Sequence, residues 1–402
     1  MKRILLAALG LGGMTGYLVP VHAQSNVTLY GIVDAGVGYT SGQRTANSKG
    51  GVGAPINYTN GSNWGFASGT WSGDRWGLKG SEDLGGGNAA IFQLENGFNI
   101  GNGTMGQGSR LFGRQAWMGL QSATLGKLTF GRQYDPIVDY VGPISAGTFV
   151  TGMGAHPGDI DNQDNQARVN NSVKWASPVY GGFQFGAIYG FGGQPGSVKN
   201  QNTWGVGGQY ASGPIAFGVG YLQATNAYGT STSTWSGSYD GTFASSINEG
   251  FASAASQRIF SAAGSYTFGA TQVGIQYGNV HYTPGALSTF ASGFTFNSIG
   301  TSVAYQLTPA LRLAAAYNFT QGSDVKGTGG PKYHTFNLAT YYALSKRTSL
   351  YGLVGYQKAS GSTLDTFGNV VSATASVGDV GNGISSATAT QTIFRMGIRQ
   401  TF

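Results

Sequence analysis

Several groups of side chains in this sequence are of types that can do chemistry, and most of them fail on spacing. His156, His281 and His334 lie far apart and stand in no nucleophile motif; brought together with Ser and Asp from distant strands, they could still build a hydrolase site. Asp159, Asp161 and Asp164 are close enough to suggest calcium. A calcium loop needs a glycine after its third ligand, however, and Gln163 and Asp164 spoil that spacing. Gly85-Gly86-Gly87-Asn88-Ala89-Ala90 fits a loose dinucleotide pattern, but no parallel strand and helix surround it, so it reads as a turn. No metal or cofactor site follows from these groups. The more coherent set is electrostatic: Arg75, Arg114 and Arg168, with Lys79 and Arg132, recur on the polar sides of short alternating segments. Such groups act by their field on whatever passes them.

Charges that act together need a frame, and here the frame has a period of two. Val27, Leu29, Val33, Ala35 and Val37 alternate with Thr28, Tyr30, Asp34 and Gly36, Ile32 being the exception. The acid at Asp34 implies that the second face meets water. After residues 41–70, a Gly/Asn/Ser-rich run that reads as a loop, Trp76 and Leu78 oppose Arg75 and Lys79. The pattern recurs in about 16 segments of roughly ten residues, the length a tilted strand needs to cross a bilayer. Leu311, Leu313, Ala315, Tyr317 and Phe319 make the cleanest stripe, opposite Arg312 and Asn318. Short connections such as Gly269-Ala270 alternate with long ones such as Thr225 to Gln257 and Ser360 to Ala387, which predicts turns at one end and loops at the other. The last segment carries Phe394, Met396 and Ile398 against Arg395 and Arg399, and it must meet the first, because an open edge in hydrocarbon leaves backbone groups unpaired. The expected fold is all-β, an antiparallel transmembrane β-barrel.

Composition agrees. Charged residues are 9% against roughly a quarter in soluble domains, while aromatics reach 13% and glycines number 70. A chain this poor in charge, with a mean hydropathy of −0.10, suits strands with one lipid face and one water face. The net charge of +7 is too thinly spread for nucleic acid. The absence of cysteine excludes a disulfide framework. Met1 to Ala23 reads as a secretory signal, with Lys2 and Arg3 before an apolar core and Val21-His22-Ala23 as the cleavage site. No composition break divides residues 24–402, so one barrel domain is expected, its first strand starting at once and leaving no plug. A secreted β-rich adhesin is the other exported reading; it would stay in the medium.

The stretch from Asp135 to Arg168 interrupts the alternation and is far too long for a hairpin turn. Its first part mixes apolar residues with glycine and proline; its second, Asp159 to Arg168, is polar and acidic. A loop of this kind is usually functional.

Four stretches resemble one family. VTLYGIVDAGV from Val27, RWGLKGSEDLGGGNAAIFQLENGFN from Arg75, RQAWMGLQSATLGKLTFGRQYDP from Arg114 and NSVKWASPVYGGFQFGAIYGFGG from Asn171 are similar to general diffusion porins of Gram-negative bacteria, in their β-proteobacterial branch. The resemblance covers the whole chain, most strongly Val27 to Gly193 and the C-terminus. It implies a 16-stranded outer-membrane barrel surrounded by lipid, usually a homotrimer, passing small hydrophilic solutes and ions without a cofactor. It also implies a third long loop folded inward. Phe402 is similar to the terminal residue that the outer-membrane assembly machinery reads. Motif by motif, Arg75, Arg114 and Arg168 fall on wall positions facing that loop, with Tyr134 and Asp139 at its root. Enteric members carry an acidic pair near the loop tip, whereas here Gly142 to Gly158 holds no acid. The acids stand at the ends, Asp135 and Asp139 at entry and Asp159, Asp161 and Asp164 at exit. The resemblance therefore implies a positive constriction and modest anion preference.

Overall fold

The computed structural model describes residues 26–48, 57–226, 235, 237–241, 243–381 and 385–402; the expected signal, Met1 to Ala23, lies outside them. The first strands are β1 (Asn26–Ser48), β2 (Asn57–Ser68), β3 (Arg75–Gly85), β4 (Asn88–Gly97), β5 (Gln115–Ser122), β6 (Gly126–Gln133), β7 (Val169–Ala176) and β8 (Phe183–Gly190). There follow β9 (Thr203–Ser212), β10 (Ile215–Thr225), β11 (Ser256–Phe268), β12 (Thr271–Thr283), β13 (Phe294–Gln306), β14 (Leu311–Gly322), β15 (Lys332–Ala343) and β16 (Thr348–Ser360). A small hairpin, β17 (Ser362–Leu364) and β18 (Val370–Ser372), precedes the last strand, β19 (Thr390–Thr401).

Neighbours in sequence pair antiparallel, and β19 pairs β16 on one side and β1 on the other, with Ile32 opposite Thr401 and Thr40 opposite Ile393. The sheet has no free edge, as hydrocarbon requires. β1 lies beside β3 from Asn26 to Ile32 and beside β2 from Ala35 onward. β2 and β3 are thus one barrel strand broken by an excursion at Gly69–Asp74, and the 17 hydrogen-bonded segments make 16 barrel strands. The run 41–70, expected as a loop, is mostly strand. Ladder bonds come from the backbone, and polar side chains do not oppose pairing where a strand passes beyond the lipid.

Outward faces carry large exposed apolar side chains, among them Leu29, Trp64, Phe66, Met118, Phe217, Ile275 and Leu338. Each would cost roughly 1.5–3 kcal/mol in water relative to burial, which a lipid jacket removes. Among the described residues no helix is long and apolar enough to cross a membrane.

Asp34 corrects a simple expectation. It faces inward but is fully buried. Its carboxylate accepts the backbone N–H groups of Trp71 and Ser72 at 2.7 and 2.8 Å and the Tyr351 hydroxyl at 2.6 Å. Asp74 closes the arrangement, accepting the Asp34 N–H at 2.5 Å and the Ser68 hydroxyl at 2.6 Å. The two acids therefore hold the excursion against the wall, and neither faces open water. Asp34→Ala leaves two backbone donors and one hydroxyl without a charged acceptor, so it is expected to lower the barrel's unfolding free energy by about 2–4 kcal/mol. Urea unfolding followed by heat-modifiable gel mobility measures this; an unchanged midpoint would show that the excursion does not depend on Asp34.

Candidate functional site

The segment that interrupts the strands is built of short helical turns. Asp135 caps the helix Pro136–Tyr140, accepting from the N–H of Ile137 at 2.7 Å and of Val138 at 3.3 Å, while Asn162 Nδ2 donates to its other oxygen at 2.5 Å. Burial pushes the Asp135 carboxyl up to about 6. The helix lies close on β10, where a Cβ on Gly218 would overlap the Tyr140 carbonyl oxygen and one on Gly220 would crowd Ile137. Further turns at Gly142–Ile144, Gly147–Val150 and Thr151–Gly154 carry the chain on to the wall of β12 to β16. There the Ala146 N–H donates to Gln276 Oε1 at 2.7 Å, and Asn318 Nδ2 donates to the Gly154 carbonyl at 3.0 Å. Phe149 and Met153 bury themselves among Ala304, Ala314, Ala316 and Ala339, small inward residues that leave room for them.

The three arginines expected on the wall come together. Arg75, Arg114 and Arg168 line one cavity of about 400 Å3, and Gly147, Thr151 and Gly152 of the long segment share it. Arg114 donates from Nε to Glu95 Oε1 at 2.7 Å and from its terminal nitrogen to the Tyr134 hydroxyl at 2.7 Å. Arg168 stacks over the Tyr134 ring, 5.2 Å from its centre, and donates to Asn165 Oδ1 at 3.1 Å. Tyr134 thus stands between two guanidiniums, and Glu95 offsets part of their mutual repulsion. Arg75 donates to the Gly73 carbonyl at 2.9 Å, tying the cluster to the excursion.

The other expected residues stand apart. Lys79 sits 5.4 Å from the centre of the Tyr30 ring, outside the cavity lining. Arg132 bonds the Gly113 carbonyl at 2.7 Å and forms short contacts to Asn170 and Asp240. Asp139 pairs with Lys174 at 2.8 Å. His156 meets Asp161 at 2.7 Å, and the Ser261 hydroxyl reaches that same carboxylate, not the imidazole. Asp159 accepts the N–H groups of Asp164 and Gln166 at 2.9 and 3.1 Å. The three aspartates thus turn to separate partners, and among the described residues no group of His, Cys, Asp or Glu is arranged to hold a metal ion.

Three acids line the cavity, Asp74 of the excursion together with Asp164 and Asp379, although the tip of the segment has none. Asp164, at the segment's exit, hydrogen-bonds Asp379, from the loop before β19, and Gln166 Nε2 donates to Asp379 at 2.8 Å. Burial and the Asp379 carboxyl push the Asp164 carboxyl well above its ordinary range, while Arg114 and Arg75 pull the other way. No local pattern marks Asp379, which reaches the site only because its loop folds back over the barrel.

Residues 19–362 match the family description "Gram-negative porin". An outer membrane porin of Bordetella pertussis is 35% identical over 381 residues, covering 89% of this chain and 94% of that one. The chain belongs to the Gram-negative porin family. Outer membrane porin protein 32 of Delftia acidovorans is 32% identical over 52% of this chain and 56% of its own. Among solved structures, an anion-selective porin from Comamonas acidovorans superposes with a TM-score of 0.69 at 22% identity, covering 94% of this chain and all of that one. The porin is thus an outer-membrane barrel for passive diffusion, from a family of channels and not of enzymes.

In this porin the Arg114–Glu95 pair is nearly inaccessible, the side chains being 6% and 5% exposed. Glu95→Ala leaves Arg114 with Tyr134 alone and is expected to lower unfolding free energy by about 1–3 kcal/mol, a buried-pair loss reduced by water in the adjoining cavity. Tryptophan-fluorescence urea titration checks it; no loss would mean that water fully replaces Glu95.

Proposed function

We propose that the Asp135–Arg168 segment narrows the channel at mid-height and that solutes pass between it and the arginine cluster, with a modest preference for anions. The observation that carries this reading is the shared cavity, with Arg75, Arg114 and Arg168 on the wall side and Gly147, Thr151 and Gly152 on the segment. Backbone bonds to Gln276 and Asn318 keep the segment across the barrel from its root. Within a gap narrower than the Debye length of about 8–10 Å, fixed charge acts on the whole opening.

The charge balance is closer than the sequence implied, because Asp164 and Asp379 offset part of the cluster. Their carboxyl–carboxyl bond needs a shared proton, which halves that offset. Further along the lumen, Arg395 bonds the Tyr39 carbonyl at 2.8 Å and the Thr40 hydroxyl at 2.9 Å, and Arg399 bonds Ser72 at 3.0 Å, so these cations meet neutral oxygens. The anion selectivity in the description of the Comamonas structure accords with this. Homotrimer assembly, removal of Met1 to Ala23 on export, and recognition of Phe402 by the assembly machinery belong to the same reading, supported by the family and by the apolar outer surface.

Reversal potentials across a planar bilayer in a potassium chloride gradient test the proposal. The parent is expected to favour chloride, and Arg75→Gln with Arg168→Gln to reduce that preference severalfold. Asp379→Asn alone leaves one carboxylate, as the shared proton already does, and is expected to change it little, whereas Asp164→Asn with Asp379→Asn is expected to increase it. Acidification should act in the same direction: a carboxyl with a raised pKa takes up its proton at a higher pH than a free carboxylate, and each proton bound removes a negative charge opposite the arginines. A clear cation preference in the parent at neutral pH would overturn the reading.

A further inference from the structure

The cavity that holds the arginine cluster is not lined by charge alone. Trp71 of the excursion and Phe98, just beyond the end of β4, share its lining with Arg75, Arg114 and Arg168, and both rings are only half-buried. Their backbones are fixed. The Trp71 N–H donates to Asp34 Oδ2 at 2.7 Å, and the Phe98 N–H donates to the Asp74 carbonyl at 3.1 Å. The Trp71 indole is also held from the side, its centre 5.0 Å from that of Tyr341 and 5.7 Å from that of Tyr351. The Arg312 guanidinium stands 6.0 Å from the same indole and 5.6 Å from the Tyr341 ring.

Rings in this position do nothing for a small inorganic anion. An aromatic face is the negative end of a quadrupole, so it repels chloride, and it also leaves apolar surface against water. A guanidinium, by contrast, stacks on an aromatic face, as Arg168 does on Tyr134 at 5.2 Å. A flat solute with both a carboxylate and a ring therefore meets a partner at each end. The acids of the cavity do not compete with it for the arginines: Asp74 accepts from the Asp34 N–H and the Ser68 hydroxyl, and Asp164 and Asp379 bond each other.

We propose that the porin takes monocyclic aromatic carboxylates in preference to aliphatic ones of the same size and charge, the carboxylate held by the arginine cluster and the ring by Trp71 and Phe98. The inference rests on the reading that solutes pass the cluster, and it adds Trp71 and Phe98 as the residues that choose among organic anions. The cavity, about 400 Å3, has room for one six-membered ring with its carboxylate and water around it. A saturated ring brings the same charge and nearly the same apolar area but no π-face. It gains the hydrophobic part of the contact and none of the stacking part.

Block of the chloride current through the porin in planar bilayers, by added sodium benzoate or sodium cyclohexanecarboxylate, tests it at pH 7, where both acids are ionised. The parent is expected to reach half-block at about fivefold lower benzoate than cyclohexanecarboxylate, the size of one favourable ring–ring contact. Trp71→Leu with Phe98→Leu should bring the ratio of the two concentrations close to one. Trp71→Phe, which keeps a ring on the excursion, should hold most of it. Because the two acids are compared within each variant, a change in channel width acts on both alike and cancels. Equal block by the two acids in the parent, or an undiminished ratio in the double leucine variant, would overturn the inference and leave the chloride preference standing. A parent whose reversal potential shows cation preference would overturn the reading beneath it, and the inference with it.

Discussion

A chain that leaves the sheet inside a membrane barrel carries N–H and C=O groups that no strand ladder satisfies, and the rest of this structure is shaped by where those groups find partners. The answer is a set of side-chain amides on the inward face of the wall. Gln276 and Asn318 take the turns around Ala146 and Gly154, and Gln257 donates to the Ile160 carbonyl at 3.3 Å. Gln357 accepts from the Ser376 N–H and donates back to its carbonyl, at 2.7 and 2.9 Å, and Gln391 accepts from Val377 at 2.9 Å. An amide can both donate and accept, so one side chain serves an irregular backbone that presents either group. A carboxylate or ammonium there would bring a desolvation cost as well.

Those amides explain what could be read in advance. Alternation such as Leu311, Leu313, Ala315 against Arg312 and Asn318 follows from two solvents on two faces, so strands and their number were legible. Arg75, Arg114 and Arg168 were legible as a group because they stand at the starts of nearby strands, Arg75 opening β3 and the other two immediately before β5 and β7. The polar side of a strand, however, says only that it faces inward. Asn318 and Gln276 read like any water-facing residue, and Asp34 like a solvated acid, because their partners lie hundreds of residues away or in an insertion with no alternation of its own. Asp379 is hidden for the same reason. Arg132 and Lys79 show the converse: strand adjacency brought them near, but a partner, Asp240 in one case and the Tyr30 ring in the other, decided where each side chain went.

The interior is accordingly divided by chemistry. Along β10 to β16 it is filled: Leu222, Ile259, Phe296 and Tyr333 pack with loop residues Ile247 and Phe251, and Phe149 with Met153 fills the space over the alanines. The buried titratable side chains there pair with one another, as His156 and Asp161 do at 2.7 Å. Along β1 to β7 the cavity is lined by the ionic side chains of Asp74, Arg75, Arg114, Asp164, Arg168 and Asp379, most of them nearly buried, and Arg399 on β19 bonds Ser72 nearby. Filling one side with apolar and amide groups leaves water, and the groups that need water, to the other. The excursion at Gly69–Asp74 belongs to this division. It places Trp71 against Tyr341 and Tyr351 at the border between the halves, with ring centres 5.0 and 5.7 Å apart, and is itself fixed by the buried carboxylate of Asp34. On the proposed path, the opening is bounded from two directions, by the amide-held segment on one side and by an interrupted strand on the other. A change in either anchor should move the same opening.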